Sequence, residues 1–154
     1  MKKIHWTGLS ASAVLLLIIL LAGKNEKKEG IEYIFTDKAP RPIGPYSQAV
    51  RYDDFVYLSG QIALGADGIV DTADISTETR LVMNNLNEVL KAAGTGMDRV
   101  VKTTIYLSDM KYFPEVNKVY GSFFTAGKAP ARETIAVKSL PKAARVEISM
   151  VAAE

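Results

Sequence analysis

Cysteine is absent from the 154 residues. A disulfide scaffold, a thiol nucleophile, a Cys-ligated zinc and a lipid carried on Cys are excluded with it. Histidine is nearly absent: the single one, His5, stands near the N-terminus, so residues 31–154 have no imidazole for base or metal work. An excess of one charge is lacking too. The formal net charge is +2, but Lys2, Lys3, Lys24, Lys27 and Lys28 against Glu26 and Glu29 put +3 on residues 1–30 and leave −1 on residues 31–154. A near-neutral body has no electrostatic footprint for nucleic acid. What is present is ordinary: 48% hydrophobic and 23% charged residues, without internal repeat or low-complexity segment. That composition belongs to a globular protein, and the length gives room for one domain. Chemistry in the body has to use carboxylates, Arg, Lys, Tyr, hydroxyls and the backbone.

Lys2-Lys3 precede an almost unbroken apolar run from Leu9 to Ala22, and the charged stretch KNEKKEG follows it. Basic start, apolar middle and polar exit are the parts of a secretory signal. Counted from Ile4 to Gly23 the run reaches the length of a membrane span, with Trp6 at interfacial depth. The sequence thus predicts a signal peptide or an uncleaved membrane anchor with a charged linker in residues 1–30, and a folded domain over residues 31–154. Leu20-Leu21-Ala22-Gly23 resembles a bacterial lipoprotein box, but Lys24 occupies the place of its Cys. Lys2 and Lys3 would keep the N-terminus in the cytoplasm. The domain is therefore expected to be exported or membrane-anchored on the outer, periplasmic side, with the cytoplasm as the alternative.

The body alternates strand and helix signals. Ile31–Phe35 reads as an edge strand, and Val50–Leu64 as a hairpin or two short strands about Asp53-Asp54. Asp74–Ala93 reads as a helix: Asp74 or Ser76 caps it, Leu81/Val82, Leu86, Val89/Leu90 and Ala93 recur at 3–4 spacing, and Gly94 ends it. Val100–Leu107 is a strand. A second helix runs through Phe113, Val116, Tyr120 and Phe123/Phe124 to Gly127, and Glu133–Val137 and Arg145–Val151 are final strands. Two amphipathic helices among these strands predict an α+β domain, with both helices on one face of a single sheet. The strand VVKTTIYL sets Val101, Thr103, Ile105 and Leu107 against Val100, Lys102, Thr104 and Tyr106. A second face that is half apolar predicts burial against copies of the same chain.

Several polar residues sit where polarity needs a reason. Arg132, between Pro130-Ala131 and the strand ETIAV, would hold a substrate carboxylate through two parallel hydrogen bonds, or be a solvated surface Arg. Glu147 falls inside a strand as a reactive carboxylate or the outward residue of an alternating pattern. Tyr46 follows the Gly44-Pro45 turn that would aim its ring at the body, as a site residue or as a packing tyrosine. Ser59-Gly60 at a strand end offers a hydroxyl and backbone N–H groups, or a plain turn. Asn117 lies one helical turn before Tyr120, as a site residue or an ordinary exposed amide.

Taken together, ordered blocks across residues 42–154 resemble the RidA (YjgF-type) family of enamine/imine deaminases. They are Pro42-Ile43-Gly44-Pro45-Tyr46-Ser47-Gln48-Ala49, Leu58-Ser59-Gly60-Gln61-Ile62, Asn84-Asn85-Leu86 with Ala92-Ala93-Gly94, and Val101-Lys102-Thr103-Thr104. Val116-Asn117-Lys118-Val119-Tyr120, Pro130-Ala131-Arg132, and Leu140-Pro141 leading to Val146-Glu147-Ile148 complete them.

The resemblance implies a chorismate-mutase-like single mixed β-sheet with two helices packed on one face, assembled as a homotrimer with sites between subunits. It implies a hydrolase of the 2-iminobutanoate/2-iminopropanoate deaminase type, turning 2-aminoacrylate-type enamines or imines into 2-keto acids and ammonia with neither metal nor organic cofactor. Partners would be small 2-imino or 2-enamino acids, with no nucleic acid and membrane contact only through residues 4–23. Arg132, Glu147 and Tyr46 would be catalytic. Arg132, Ser59, Gly60, Asn117 and Thr134 would bind substrate, Thr134 standing where family members often carry Cys. Glu133 should point away from Arg132 by strand alternation. The alternative is a non-catalytic small-ligand or partner-binding trimer of the same fold.

Overall fold

The structure, a computed structural model, describes residues 30–65, 68–71 and 73–154. Six strands form one sheet: β1 (Glu32–Ile34), β2 (Ala49–Tyr52), β3 (Phe55–Gln61), β4 (Val100–Leu107), β5 (Ala131–Ala136) and β6 (Val146–Ala153). Their order is β1-β2-β3-β6-β4-β5. All neighbours are antiparallel except β4 and β5, which run parallel and so need a crossover. Helix α2 (Phe113–Gly121) supplies it, and α1 (Ile75–Ala92) links β3 to β4.

Local chemistry explains the helix ends. The Asp74 carboxylate accepts from the Thr77 N–H at 2.9 Å, satisfying a donor that the first turn leaves open, and Gly94 follows the helix at φ +76°. Between these ends Val82, Met83, Leu86, Val89 and Leu90 are fully buried. Each contributes about 1.5–3 kcal/mol of apolar burial. They meet Ile105, Leu107, Val146, Ile148, Met150 and Ala152 from the facing strands, so the core lies between the helices and one sheet face. The single mixed sheet with both helices on one side is the α+β architecture expected.

Three details differ from the expectation. Helix α2 ends at Gly121, short of Phe123 and Phe124, whose rings pack on the core after the helix has stopped. β5 begins at Ala131 and β6 continues to Ala153, because their backbones pair along the whole of β4. The alternation of β4 breaks at its start: a register shift between Val100 and Lys102 turns Val100 into the core and leaves Val101 outside.

Among the described residues no helix covers the other face of the sheet, which is bare in that sense. Tyr33, Tyr52, Phe55, Tyr57 and Ile135 project from it with 40–70% of their surface exposed. Among the described residues no helix is long and apolar enough to cross a membrane. Residues 4–23, the expected signal or anchor, and the whole of residues 1–29 lie outside the described residues.

Candidate active site

A cavity of about 320 Å³ opens at one end of β3 and β6. That is the small end of the range for ligand pockets, about 300–1,000 Å³. Four of the expected site residues line it: Tyr46, Ser59, Gly60 and Glu147. Pro40, Arg41 and Ile43 close one side, and Gln61, Ile62, Leu64 and Pro141 another.

Buried polar side chains hold these walls. Gln48, 1% exposed, accepts from the Thr36 N–H at 2.7 Å and donates to the carbonyls of Thr36, Ala39 and Pro40. Asn85 on α1 donates to the Leu64 carbonyl at 3.1 Å and fixes the chain leaving β3. The Ser59 hydroxyl donates to the Ser47 carbonyl at 2.6 Å, joining the two stretches that carry Tyr46 and Gly60. The Tyr46 ring folds over its own turn, where its hydroxyl oxygen accepts from the Ile43 N–H at 3.3 Å.

Glu147 is the only carboxylate among the residues described as lining the cavity. It is half-buried, and burial pushes its carboxyl above the ordinary glutamate range. Its neighbour Gly60 sits at an irregularity between Leu58 and Gln61, where β3 slips against β6. A Cβ on Gly60 would lie 2.0 Å from Glu147 Oε1 and 2.9 Å from its carboxyl carbon. Gly60 is required there for space.

Arg132, Asn117 and Thr134 form a second group, apart from the cavity. Arg132 Nη1 donates to Asn117 Oδ1 at 2.8 Å, and the guanidinium lies 5.0 Å over the Tyr120 ring and 5.8 Å over Phe113. The rings and the amide hold the fork in one plane. Asn117 therefore orients Arg132 and does not reach the cavity within this chain. Tyr120 is itself braced by its hydroxyl, which donates to Thr103 Oγ1 at 3.2 Å. Thr134 Oγ1 is buried with no hydrogen-bond partner among the described residues, a state that calls for one. Glu133 turns the other way and accepts from Lys102 and Thr104 at 2.5 and 3.0 Å. The hydrogen bond from Lys102 leads the causes that hold its carboxyl below the usual range. Its charge is thus spent across the sheet, as alternation requires.

The two groups stand on opposite faces. Arg132 pairs with Thr103, buried against α2, whereas Glu147 pairs with Tyr106 and alternates with the core residues Val146 and Ile148. Directly paired residues share a face, so Arg132 points to the helix side and Glu147 to the bare side. One chain does not bring the two to one substrate. The sequence blocks named the loops of the cavity and contained Pro141 and Tyr120 without giving either a role at the site, and they left out Arg41 and Phe113. Only the platform had a signal, the helical spacing of its aromatic residues ahead of Arg132.

The family model described as Endoribonuclease L-PSP matches residues 36–154. The 2-iminobutanoate/2-iminopropanoate deaminase of Mus musculus is 44% identical over 122 residues, 79% of this chain and 90% of its own. YyfA of Yersinia pestis, a protein of the conserved Rid family, superposes with a TM-score of 0.78 at 41% identity, over 81% of this chain and 100% of its own. E. coli TdcF, solved with bound serine, superposes with a TM-score of 0.75 at 34% identity, over 80% and 98%. These matches correct the expectation of a signal peptide, membrane anchor and exported domain. The shared unit starts at residue 36, past residues 4–23, and it fills nearly the whole length of its relatives. An anchor is thus no part of what the family has in common. The family match over residues 36–154, with relatives above 40% identity, shows that the chain belongs to the Rid (RidA/YjgF) family.

Proposed function

We propose that this chain hydrolyses reactive 2-aminoacrylate-type enamines, as their 2-imino acid tautomers, to 2-keto acids and ammonia without a cofactor. The active form is a homotrimer with its sites between copies, and residues 31–154 are the catalytic domain. The observation that carries the reading is the half-buried Glu147 carboxylate, raised by burial and seated against Gly60 in a small cavity. A carboxylate in that state suits a general base, because its pKa moves toward the working pH. The mouse relative, named as a 2-iminobutanoate/2-iminopropanoate deaminase, supports the substrate class.

Arg132 of one copy grips the substrate carboxylate through two parallel charge-assisted bonds, which places the imine carbon. Glu147 of the next copy takes a proton from water as the water oxygen bonds to that carbon. The C=N electron pair moves to nitrogen, which takes up a proton. The resulting hydroxyl then gives up its proton, which Glu147 passes to the nitrogen, the C–N bond breaks with its pair on nitrogen, and ammonia leaves. The water oxygen remains as the keto oxygen. Tyr46 and Ser59 position water or substrate, and the backbone at Thr134 holds the imine nitrogen. The bare aromatic sheet face gives the copies an apolar surface to bury. The word endoribonuclease in the family description finds little support in a body of net charge −1.

The test generates 2-aminoacrylate from serine with a pyridoxal-phosphate dehydratase and follows pyruvate and ammonia release. Acceleration over buffer, lost in Arg132→Ala, is expected. No acceleration from folded protein would overturn the reading in favour of a non-catalytic small-ligand or partner-binding trimer.

A further inference from the structure

The cavity holds a cation that the reaction above leaves unused. Arg41 lines it together with Glu147. Its Nη2 donates to Asp37 Oδ1 at 2.6 Å, and the two side chains are 76% and 71% exposed. So exposed a pair is worth about 0–1 kcal/mol, and a ligand carboxylate displaces Asp37 readily. One hydrogen bond also leaves most of the guanidinium's donors open. The guanidinium lies 5.5 Å over the Phe35 ring, and Gln48 ties down the backbone up to Pro40, immediately before it. Arg41 is therefore a partly ordered fork at the cavity wall.

Arg41 lines this cavity on the side of Pro40 and Ile43, whereas Glu147 lines it beside Gly60. A substrate with its imine carbon at Glu147 and its first carboxylate on Arg132 has its side chain left to reach Arg41. An apolar side chain would leave the fork solvated, whereas a carboxylate would complete two charge-assisted bonds.

We propose that Arg41 is a specificity-determining residue that selects 2-imino acids bearing a second carboxylate, such as the imines of aspartate and glutamate. The proposal rests on the deaminase reading and names the substrate class of that same site.

The test uses the full chain with imines made in situ by amino-acid oxidases from aspartate and from alanine. The readout is the ratio of kcat/KM for 2-iminosuccinate to that for 2-iminopropanoate. Arg41→Ala is expected to lower this ratio about tenfold, and Arg41→Lys to restore it only in part, since an ammonium lacks the fork. A ratio unchanged in Arg41→Ala overturns the proposal while leaving the deaminase reading intact. Calorimetry with succinate and propanoate, which do not react, separates the two claims further. Tighter binding of succinate, lost in Arg41→Ala, supports the Arg41 subsite even when neither imine is hydrolysed, an outcome that fails the deaminase reading alone. Equal binding of both acids by the wild type overturns the subsite.

Discussion

At the scale of single residues the site is set by one close approach. Gly60 leaves room for the Glu147 carboxylate, and the first atom of any side chain there would collide with Oε1. Gly60→Ala is expected to displace the carboxylate and lower kcat/KM at least about tenfold, with melting little changed because the displaced group is the end of a side chain. Steady-state kinetics beside circular dichroism check this, and unchanged turnover would remove Glu147 from the reaction. The pH dependence follows from the same carboxyl. Burial raises its pKa, so it is protonated, and useless as a base, at pH values where an ordinary glutamate is already ionised. The expected kcat/KM profile falls toward acid along a limb whose midpoint lies above 4.5, the ordinary glutamate value. A midpoint at or below that value contradicts the assignment. Arg132 is prepared differently, by two rings and an amide that hold its fork in one plane.

At the scale of elements the strand carrying Glu147 is tied to helix α1 by a partly buried ion pair. Glu78, fully buried, accepts from the Arg145 backbone N–H at 2.7 Å and from its Nε at 2.6 Å. Arg145 lies two residues before Glu147 and follows a turn in which Lys142 and Ala143 have positive φ, 53° and 57°. The pair thus anchors a strained turn whose Pro141 is part of the cavity wall. Glu78→Ala removes the acceptor for both donors and is expected to destabilise the protein by about 3 kcal/mol, read from denaturant unfolding. A loss under about 1 kcal/mol would mean that water replaces the carboxylate readily. Helix periodicity placed α1 correctly and marked its buried stripe, because an apolar face repeats every turn. It gave no sign of the pairing with Arg145, which joins residues 67 apart in sequence.

At the scale of the whole molecule the decisive fact is that Arg132 and Glu147 project from opposite faces of one sheet. A site using both needs two copies, and the bare face with Tyr33, Tyr52, Phe55 and Tyr57 is the surface on which copies would meet. Arg132→Ala and Glu147→Gln chains, each inactive alone, should complement one another when co-expressed. With random mixing, about one quarter of the interfaces of a closed ring carry both intact residues. Recovery of about a quarter of wild-type turnover supports the shared site, and none would place both residues in a single-chain site or leave the copies unmixed. Affinity capture through a tag carried by one of the two chains, followed by detection of the other, separates the last two.

The amino-acid sequence by itself determined the element order, the caps of α1 and the family, whereas the end of α2 fell at Gly121 and not at the expected Gly127. Those depend on local periodicity, on turn residues and on blocks such as the one around Tyr46, all of which are read along the chain. It also contained every residue of both groups, and strand alternation was enough to turn Glu133 away from Arg132. Only the tertiary structure decided which residues share a space. The strand order β1-β2-β3-β6-β4-β5 sets Glu147 of the last strand beside Gly60 of the third. It also carries Arg132 to the edge strand β5, facing the helices. The slip in β3 that makes room for a carboxylate and the register shift that turns Val101 outward are likewise tertiary facts. Each depends on hydrogen bonds between strands distant in the chain, and no local pattern encodes those.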